Sequence, residues 1–442
     1  MEDSTGEGIK MLNDILEIAS KYVDSAEVYY LESNSTPVNF EVNKLKSMES
    51  KEIQGIALRV IKNGKIGFSS TTDIDPYKFE QLVKYAVDVS EFGVNVDWNF
   101  PSHQIESSKI KMKNAPNIEA LVNTGKNIIG EMHEKEPETL NNVSIKYSNS
   151  REILMNSNGV SGHRERDYVS FSLVSQLIRG TDMLYVYDGV TTAAPEINYL
   201  QLTDKILDLL KHSKAIFQVN SKSLPIIFTP KALGSLLIPV EPALNGKSVL
   251  KGSSYFTNKL GKKVMDERVT IYEDPGQGVN PLDFDDEGVP TAKKTFIENG
   301  ILKSFYYDLQ TASEAGTKTT GNGFRAGLSS AGPAISSLVF QGGALSFEEM
   351  VESLEEGIII DQMLGAGQGN TLAGEFSLNI ALGFLIEKGK IVGRVKDCMI
   401  AGNTFDVLND IKAIEKESHW MSGGTRRYPA VMFNKMSVVG KK

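Results

Sequence analysis

Asn63-Gly64 stands between two runs, Gly55 to Ile61 and Lys65 to Ser69, in which apolar residues alternate. Asn and Gly both accept positive φ, which a two-residue type I′ turn requires at its two central positions. The pair therefore predicts an antiparallel hairpin and sets the register of both strands. A helix precedes this hairpin and another comes after it. Ile9 to Tyr22 carries helical apolar spacing at Ile9, Leu12, Ile15, Leu16 and Ala19. Asp75-Pro76 reads as an N-cap and first helical residue, with Phe79, Leu82, Val83 and Ala86 on one face. Ala26 to Leu31 and Val38 to Val42 read as two further strands, separated by a turn at Ser33-Asn34-Ser35-Thr36-Pro37.

The same order returns after Asn117. A stripe of Ile118, Leu121, Val122, Ile128, Ile129 and Met132 predicts a helix. Val143 to Tyr147 and Arg151 to Asn156 correspond to the first two strands, and Tyr168 to Ile178 with Met183 to Tyr187 to the hairpin, turned at Arg179-Gly180-Thr181-Asp182. A helix from about Thr203 to Ile216 closes the unit. Residues 1–217 thus read as one α+β domain of two similar helix–antiparallel strands–helix units, about 1–93 and 117–217. Val94 to Pro116, polar and holding two prolines, reads as a surface connection.

From 218 to 442 the character changes to a β-rich second domain. Val269 to Tyr272, Thr295 to Ile297, Leu302 to Tyr306, Ser377 to Ile386 and Ile391 to Ile400 read as strands, with Asn299-Gly300 and Lys388-Gly389 as hairpin turns. Thr229-Pro230 opens a helix, and Ser346 with Glu349 forms a capping box for another.

Composition narrows the classes of function. The formal charge of −9, with basic and acidic residues interleaved, gives no phosphate-neutralising stripe, so no nucleic-acid partner is expected. The longest apolar runs, such as Leu378 to Ile386, are too short to span a bilayer, and Met1-Glu-Asp-Ser lacks the positive start of a signal peptide. With Cys398 as the single cysteine, no intrachain disulfide can form, and a cytoplasmic location is the expectation.

The five histidines, His103, His133, His163, His212 and His419, share no metal-ligand spacing, so no metal site is expected in this chain. Gly246-Lys247-Ser248 ends like a Walker A loop, but position 241 is Glu where that motif needs Gly. Gly365 to Asn370 is Gly-rich, yet it leads into an apolar strand and not a helix, so it is not a dinucleotide loop. Asp285, Asp286 and Glu287 supply too few oxygens to hold a hard cation and read as a structural turn or a polar wall. Ser253-Ser254 and Ser329-Ser330 have no histidine nearby to activate them.

Asp283 to Arg325 combines an acidic DDEG turn, a strand, the Asn299-Gly300 hairpin, a second strand and a Gly-rich polar loop ending in Arg325. With Gly252-Ser-Ser-Tyr-Phe256, the Gly374-Glu375-Phe376-Ser377 segment and Glu387 to Asn403, this order resembles the TldD/PmbA family of metallopeptidases. The resemblance implies a peptidase assembly of dimeric form. It further implies two kinds of member. TldD-type chains carry an HExxxH zinc helix before the Gly-Ser/Thr-Ser-x-Phe segment and a cysteine ligand near the C-terminus; PmbA (TldE) chains lack them. Counted back without gaps, the two histidine positions fall near Leu237 and Pro242, no histidine lies between His212 and His419, and Glu417 to Tyr428 has no cysteine. The chain therefore resembles the PmbA (TldE) kind.

A resemblance of that kind implies a subunit without zinc of its own, acting on unfolded or extended peptides. Its partner would be a zinc-bearing TldD-type subunit in a heterodimer, or a copy of itself in a homodimer. Asp285, Glu287, Arg325, Asn370, Glu375 and Asn403 are the residues expected to face that peptide. Two alternatives stand beside it: a self-sufficient homodimeric peptidase, and a regulatory binding protein of the kind named modulator of DNA gyrase.

Overall fold

Asn63 and Gly64 take φ of 50° and 71° between strands paired from Ile56↔Thr71 to Lys62↔Lys65, which is the backbone their turn requires. The computed structural model describes residues 3–194, 199–368 and 370–440. In chain order the first domain runs α1 (Asp3–Ala19), β1 (Ser25–Glu41), β2 (Lys44–Met48), β3 (Lys51–Lys62), β4 (Lys65–Thr71), α2 (Phe79–Ser90), β5 (Ser108–Ile110), α3 (Ile118–Lys135), β6 (Leu140–Asn156), β7 (Ser161–Arg179), β8 (Asp182–Thr192) and α4 (Leu200–His212). Its strands form one sheet in the order β4-β3-β1-β6-β7-β5, with β2 added to β1 and β8 to β7. The two units join where β1 runs antiparallel to β6, from Glu27↔Asn156 to Phe40↔Val143.

Three expectations are corrected here. The Ser33 to Pro37 segment is not a turn: β1 passes straight through it, because both neighbours pair with it, Ser33 with Ile53 and Ser150, and Asn34 with Glu52 and Asn149. The same holds in β6, where the predicted pair of strands is a single one. The 94–116 connection is not purely superficial. Val96, Phe100 and Met112 are buried, β5 pairs with β7, and Trp98 Nε1 donates to Gln310 Oε1 of the second domain at 2.9 Å.

Side-chain alternation assigns the faces of this sheet. Val28, Tyr30 and Ile153 pack with α1 and α2, while Val38, Phe40, Val143 and Ile145 pack with α3 and α4. These are all even positions of β1 and all odd positions of β6, so the four helices cover one and the same face.

The second domain centres on a closed barrel of five strands, Lys222–Phe228, Glu356–Leu364, Glu375–Glu387, Cys398–Asn403 and Val431–Gly440. Pairing of Glu356–Leu364 with Glu375–Glu387 closes the ring, which removes the free edges an open sheet would have. A second sheet runs Ile301–Leu302, Lys294–Glu298, Ile271–Glu273, Leu338–Phe340, Arg426–Tyr428 and His419–Trp420, with the last at its rim. The predicted strand over 391–400 is broken at Asp397, which takes φ of 54°; Asp tolerates that region, and the chain bends there into two strands. Likewise only Leu302 of the predicted 302–306 strand is in a regular strand, the short Ile301–Leu302. Leu202, Ile206 and Leu210 of α4 lie in one cluster with Ile227, Leu382 and Phe384, so α4 is packed between the first sheet and the barrel. No helix among the described residues is long and apolar enough to cross a membrane.

Candidate functional site

Between the two domains lies a cavity of about 860 Å³. A concave site of this size with a few convergent polar groups is the first place to look for ligand chemistry. The first domain supplies Ser172, Tyr187, Asp188 and Gly189 from the β7–β8 hairpin and Lys205, Asp208 and Leu209 from α4. The second supplies α5 (Pro230–Leu236), the residues just after it, and the segment from Glu415 to Tyr428. Thr229 caps α5 by accepting from Ala232 N, as Thr-Pro at a helix start predicts.

Lys231 is the charged centre of one wall. Its ammonium lies 2.7 Å from Asp361 and 3.7 Å from Asp188, donates to Tyr187 O at 2.7 Å, and sits 4.8 Å from the Tyr187 ring centroid. Asp361 also accepts from Thr229 Oγ1 at 3.0 Å. Burial alone would raise the Asp188 carboxyl, but Lys231 and Lys205 beside it hold it below the ordinary range. Burial, with Asp361 and Asp188 nearby, pushes the Tyr187 hydroxyl up. On the other wall His419 meets Glu415 at 3.1 Å, and that hydrogen bond raises the imidazole above its usual value.

The segment where the family resemblance places the zinc helix borders this same cavity. Leu237, at the first of the two histidine positions, and Glu241, next to the second at Pro242, line it, but the helix does not continue through them. α5 stops at Leu236, and α6 (Val240–Leu244) begins after Pro239, whose ring would break a helix running on from α5. Glu241 is held in a two-bond fork by Arg426, at 2.6 and 2.8 Å. The remaining Arg426 donors go to the carbonyls of Ile335, Ser336 and Thr425. A fixed guanidinium on the carboxylate beside the second of these positions opposes a dication there. Among the described residues no group of three His, Cys, Asp or Glu side chains could hold a metal. The residues present do not fit a catalytic zinc, which uses three protein ligands and an open position.

The six residues expected to face peptide fall into two separate places, and none lines the large cavity. Asn370, Glu375 and Asn403 lie together at one end of the barrel, the last two at the ends of paired strands. Asn403 Nδ2 donates to Ala373 O at 2.7 Å, Asn370 Oδ1 accepts from Ala373 N, and Glu375 pairs in register with Asn403. Gly374 takes φ of 81°, where a Cβ would come within 2.6 Å of the Phe405 ring. Glu375 is exposed and borders a small hollow that shares Ser235 and Ile238 with the large cavity. Gly369 of the Gly-rich loop lies outside the described residues.

Asp285, Glu287 and Arg325 do not face any path open to peptide, which corrects the expectation for these three. Asp285 and Glu287 are 0% exposed, and the Arg325 side chain 1%. They belong to a buried ionic lattice between the domains. Arg59 of β3 donates two bonds to Glu27 of β1, at 2.8 and 2.7 Å, and one to Glu287 at 2.7 Å. Arg325 reaches across to the same Glu27. Arg164 of β7 pairs with Asp286 and, at 2.6 Å, with Glu152. Asp285 accepts from the N–H groups of Glu287, Val289 and Gly323, which ties the DDEG turn to the Gly-rich loop. Burial raises the Glu287 carboxyl, with Arg59 opposing; at Asp286 burial is outweighed by the Arg164 guanidinium, which holds the group low.

The cavity residues escaped sequence reasoning because their partners are far apart in the chain. One signal was available: Asp361 ends the apolar run Ile358-Ile359-Ile360 inside a strand, and a buried acid in such a place needs a cation.

Comparison with known proteins bears on this geometry. Residues 221–440 match the PmbA/TldA metallopeptidase C-terminal domain and residues 26–89 match the PmbA/TldA metallopeptidase domain 1. Metalloprotease PmbA of Escherichia coli O157:H7 is 24% identical over 417 residues, 90% of this chain and 89% of that protein. A metalloprotease TldD homolog of Haemophilus influenzae is 31% identical over 215 residues, 46% of this chain and 44% of its own length. The crystal structure of TldE from Thermococcus kodakarensis superposes with a TM-score of 0.86 at 23% identity, covering 97% of this chain and 100% of that one, which shows a shared fold.

Proposed function

We propose, because the chain belongs to the PmbA/TldD metallopeptidase family, that it is the PmbA/TldE-type subunit of a cytoplasmic peptidase assembly. In this reading it has no zinc of its own and holds extended peptide, while a TldD-type subunit supplies metal and hydrolysis. The observation that carries it is the Glu241–Arg426 fork, with every Arg426 donor engaged, at the positions where the family's zinc helix would fall. The lack of any histidine between His212 and His419 supports it from the sequence side.

Peptide handling fits the rest of the cavity. His419–Trp420 is the rim strand of its sheet, and both residues line the wall. A free strand edge binds an extended chain through backbone hydrogen bonds without demanding its sequence. Tyr187, Trp420, Leu237 and Ile238 give apolar and aromatic surface beside it. From there the path passes Ser235 and Ile238 to Asn370, Glu375 and Asn403.

The test is to purify the chain alone and again with a TldD-type chain of the same genome, then measure bound zinc and peptide hydrolysis in both. Zinc and chelator-sensitive hydrolysis only in the mixture is the expected result. Stoichiometric zinc with hydrolysis from the chain alone overturns the proposal.

A further inference from the structure

Four pairs of opposite charge stand around the large cavity. Lys231 meets Asp361 at 2.7 Å, Lys205 meets Asp188 at 2.6 Å, Arg426 forks onto Glu241, and His419 meets Glu415 at 3.1 Å. Glu415 also accepts from Ala430 N at 2.7 Å. Among the described residues one further charged side chain lines the cavity, Asp208, which is 64% exposed and lies 3.5 Å from His212. Two of the lining rings already carry a cation of the protein's own over one face: Lys231 at 4.8 Å from the Tyr187 centroid and Arg427 at 5.7 Å from that of Trp420. The surface left for a guest is apolar. Ile238, Trp420 and Tyr187 are 40%, 37% and 43% exposed, with Leu209, Phe347 and Met421 half-buried in the same lining. Gly234 and Ser235 of α5 add little bulk to that wall.

We infer that this cavity holds the aliphatic or aromatic side chains of an extended peptide and rejects charged ones. The inference rests on the peptide-holding reading above and adds what the held chain must present. A guest carboxylate or ammonium has two ways to enter. It can stay unpaired away from water, which is costly for a charge. Or it can displace a member of one of the four pairs, which orphans a wall charge such as Asp361 or Asp188, whose side chains are only 3% and 12% exposed. A guest ammonium also finds one face of each exposed ring taken by Lys231 and Arg427. An apolar guest breaks no pair. It covers Ile238, Trp420 and Tyr187 and withdraws its own surface from water. The four pairs therefore discriminate by rejection, and the three exposed side chains by attraction.

The test uses the full chain and end-blocked heptapeptides, Thr-Ser-Thr-X-Thr-Ser-Thr, in which X is Leu, Phe, Ser, Lys or Asp, with binding measured by titration calorimetry. The Leu and Phe peptides are expected to bind about tenfold to a hundredfold more tightly than the Ser peptide, the range for burying one such side chain. The Lys and Asp peptides are expected to bind no more tightly than Ser. Ile238→Asp puts an unpaired carboxylate on the wall at a side chain exposed enough to accept it. That variant is expected to lose the preference for Leu and Phe and to favour Lys. Should circular dichroism show it misfolded, the wild-type series alone decides. Peptides that all bind alike, a charged X that binds as tightly as Leu, or no binding of any peptide overturns the inference. So does a folded Ile238→Asp chain that keeps the wild-type preference. The same peptides are also given to the mixture with a TldD-type chain of the same genome. Chelator-sensitive hydrolysis there, without an apolar preference in binding, removes the inference and leaves the subunit reading. An apolar preference in binding, with no hydrolysis in the mixture, removes the subunit reading and leaves the inference.

Discussion

Arg59→Met tests how the two domains are held. The Arg59 side chain is 2% exposed, and both of its carboxylate partners, Glu27 and Glu287, are 0% exposed. Methionine fills a similar volume but leaves the pair of acids with Arg325 as their remaining partner cation in the lattice. Removing one member of a buried ion pair costs about 3–5 kcal/mol, since the orphaned charge keeps its desolvation penalty. The Arg59 contacts to the Trp98 and Phe100 rings, at 5.7 and 5.4 Å, add about 1 kcal/mol. Because Arg325 still compensates Glu27, a total of about 4 kcal/mol is expected, a large share of a typical 5–15 kcal/mol. Urea unfolding followed by circular dichroism and by tryptophan fluorescence reads it, Trp98 and Trp420 being the only tryptophans. The double variant Arg59→Met/Glu287→Met, which leaves Glu27 paired with Arg325 and no unpaired acid at this node, is expected to recover part of the loss. An Arg59→Met protein within about 1 kcal/mol of wild type, against the roughly 4 expected from a buried pair, would refute the reasoning.

Three further outcomes are expected at the site and its surroundings. Lys231→Met strips the 3% exposed Asp361 side chain of its cation, so a loss of about 2–4 kcal/mol is expected in the same urea assay; Lys231→Met/Asp361→Asn should lose less. His419 should titrate above the ordinary imidazole value of about 6.5 in an NMR titration, with Glu415→Gln returning it downward. Its folded value being raised, the stability it contributes is fully present below the unfolded value and fades as pH rises through the folded one. Gly374→Ala, at φ of 81° and against Phe405, should cost more than about 1 kcal/mol by thermal or urea unfolding.

Local chemistry made much of the fold legible. Thr229-Pro230, the Ser346–Glu349 capping box and the Asn63-Gly64, Asn299-Gly300 and Lys388-Gly389 turns each satisfy a backbone need within four residues, and each appears as read. The Ser33 to Pro37 segment misled because its turn-forming composition was overruled by strands from both units pairing on either side, a long-range effect. The site was less legible for the same reason. Acidic residues in a Gly-rich setting look alike whether they line a cleft or lie beneath one. Glu287 is distinguished by Arg59, which stands 228 positions away, and Glu241 by Arg426, 185 positions away. Nothing near either acid in the chain points to its partner.

The distribution of ion pairs constrains how the two domains can move against each other. Arg59–Glu287, Arg164–Asp286 and Arg325–Glu27 cross the seam on one side. Lys231–Asp188, Arg394–Asp182 and Lys396–Asp182 cross it on the other. Opening the domains like a jaw would separate charges on both sides at once, and for the buried ones each separation leaves charges only partly rehydrated. A single pair could yield; a double row acts as a brace. The two rows therefore hold the cavity between the domains in one shape.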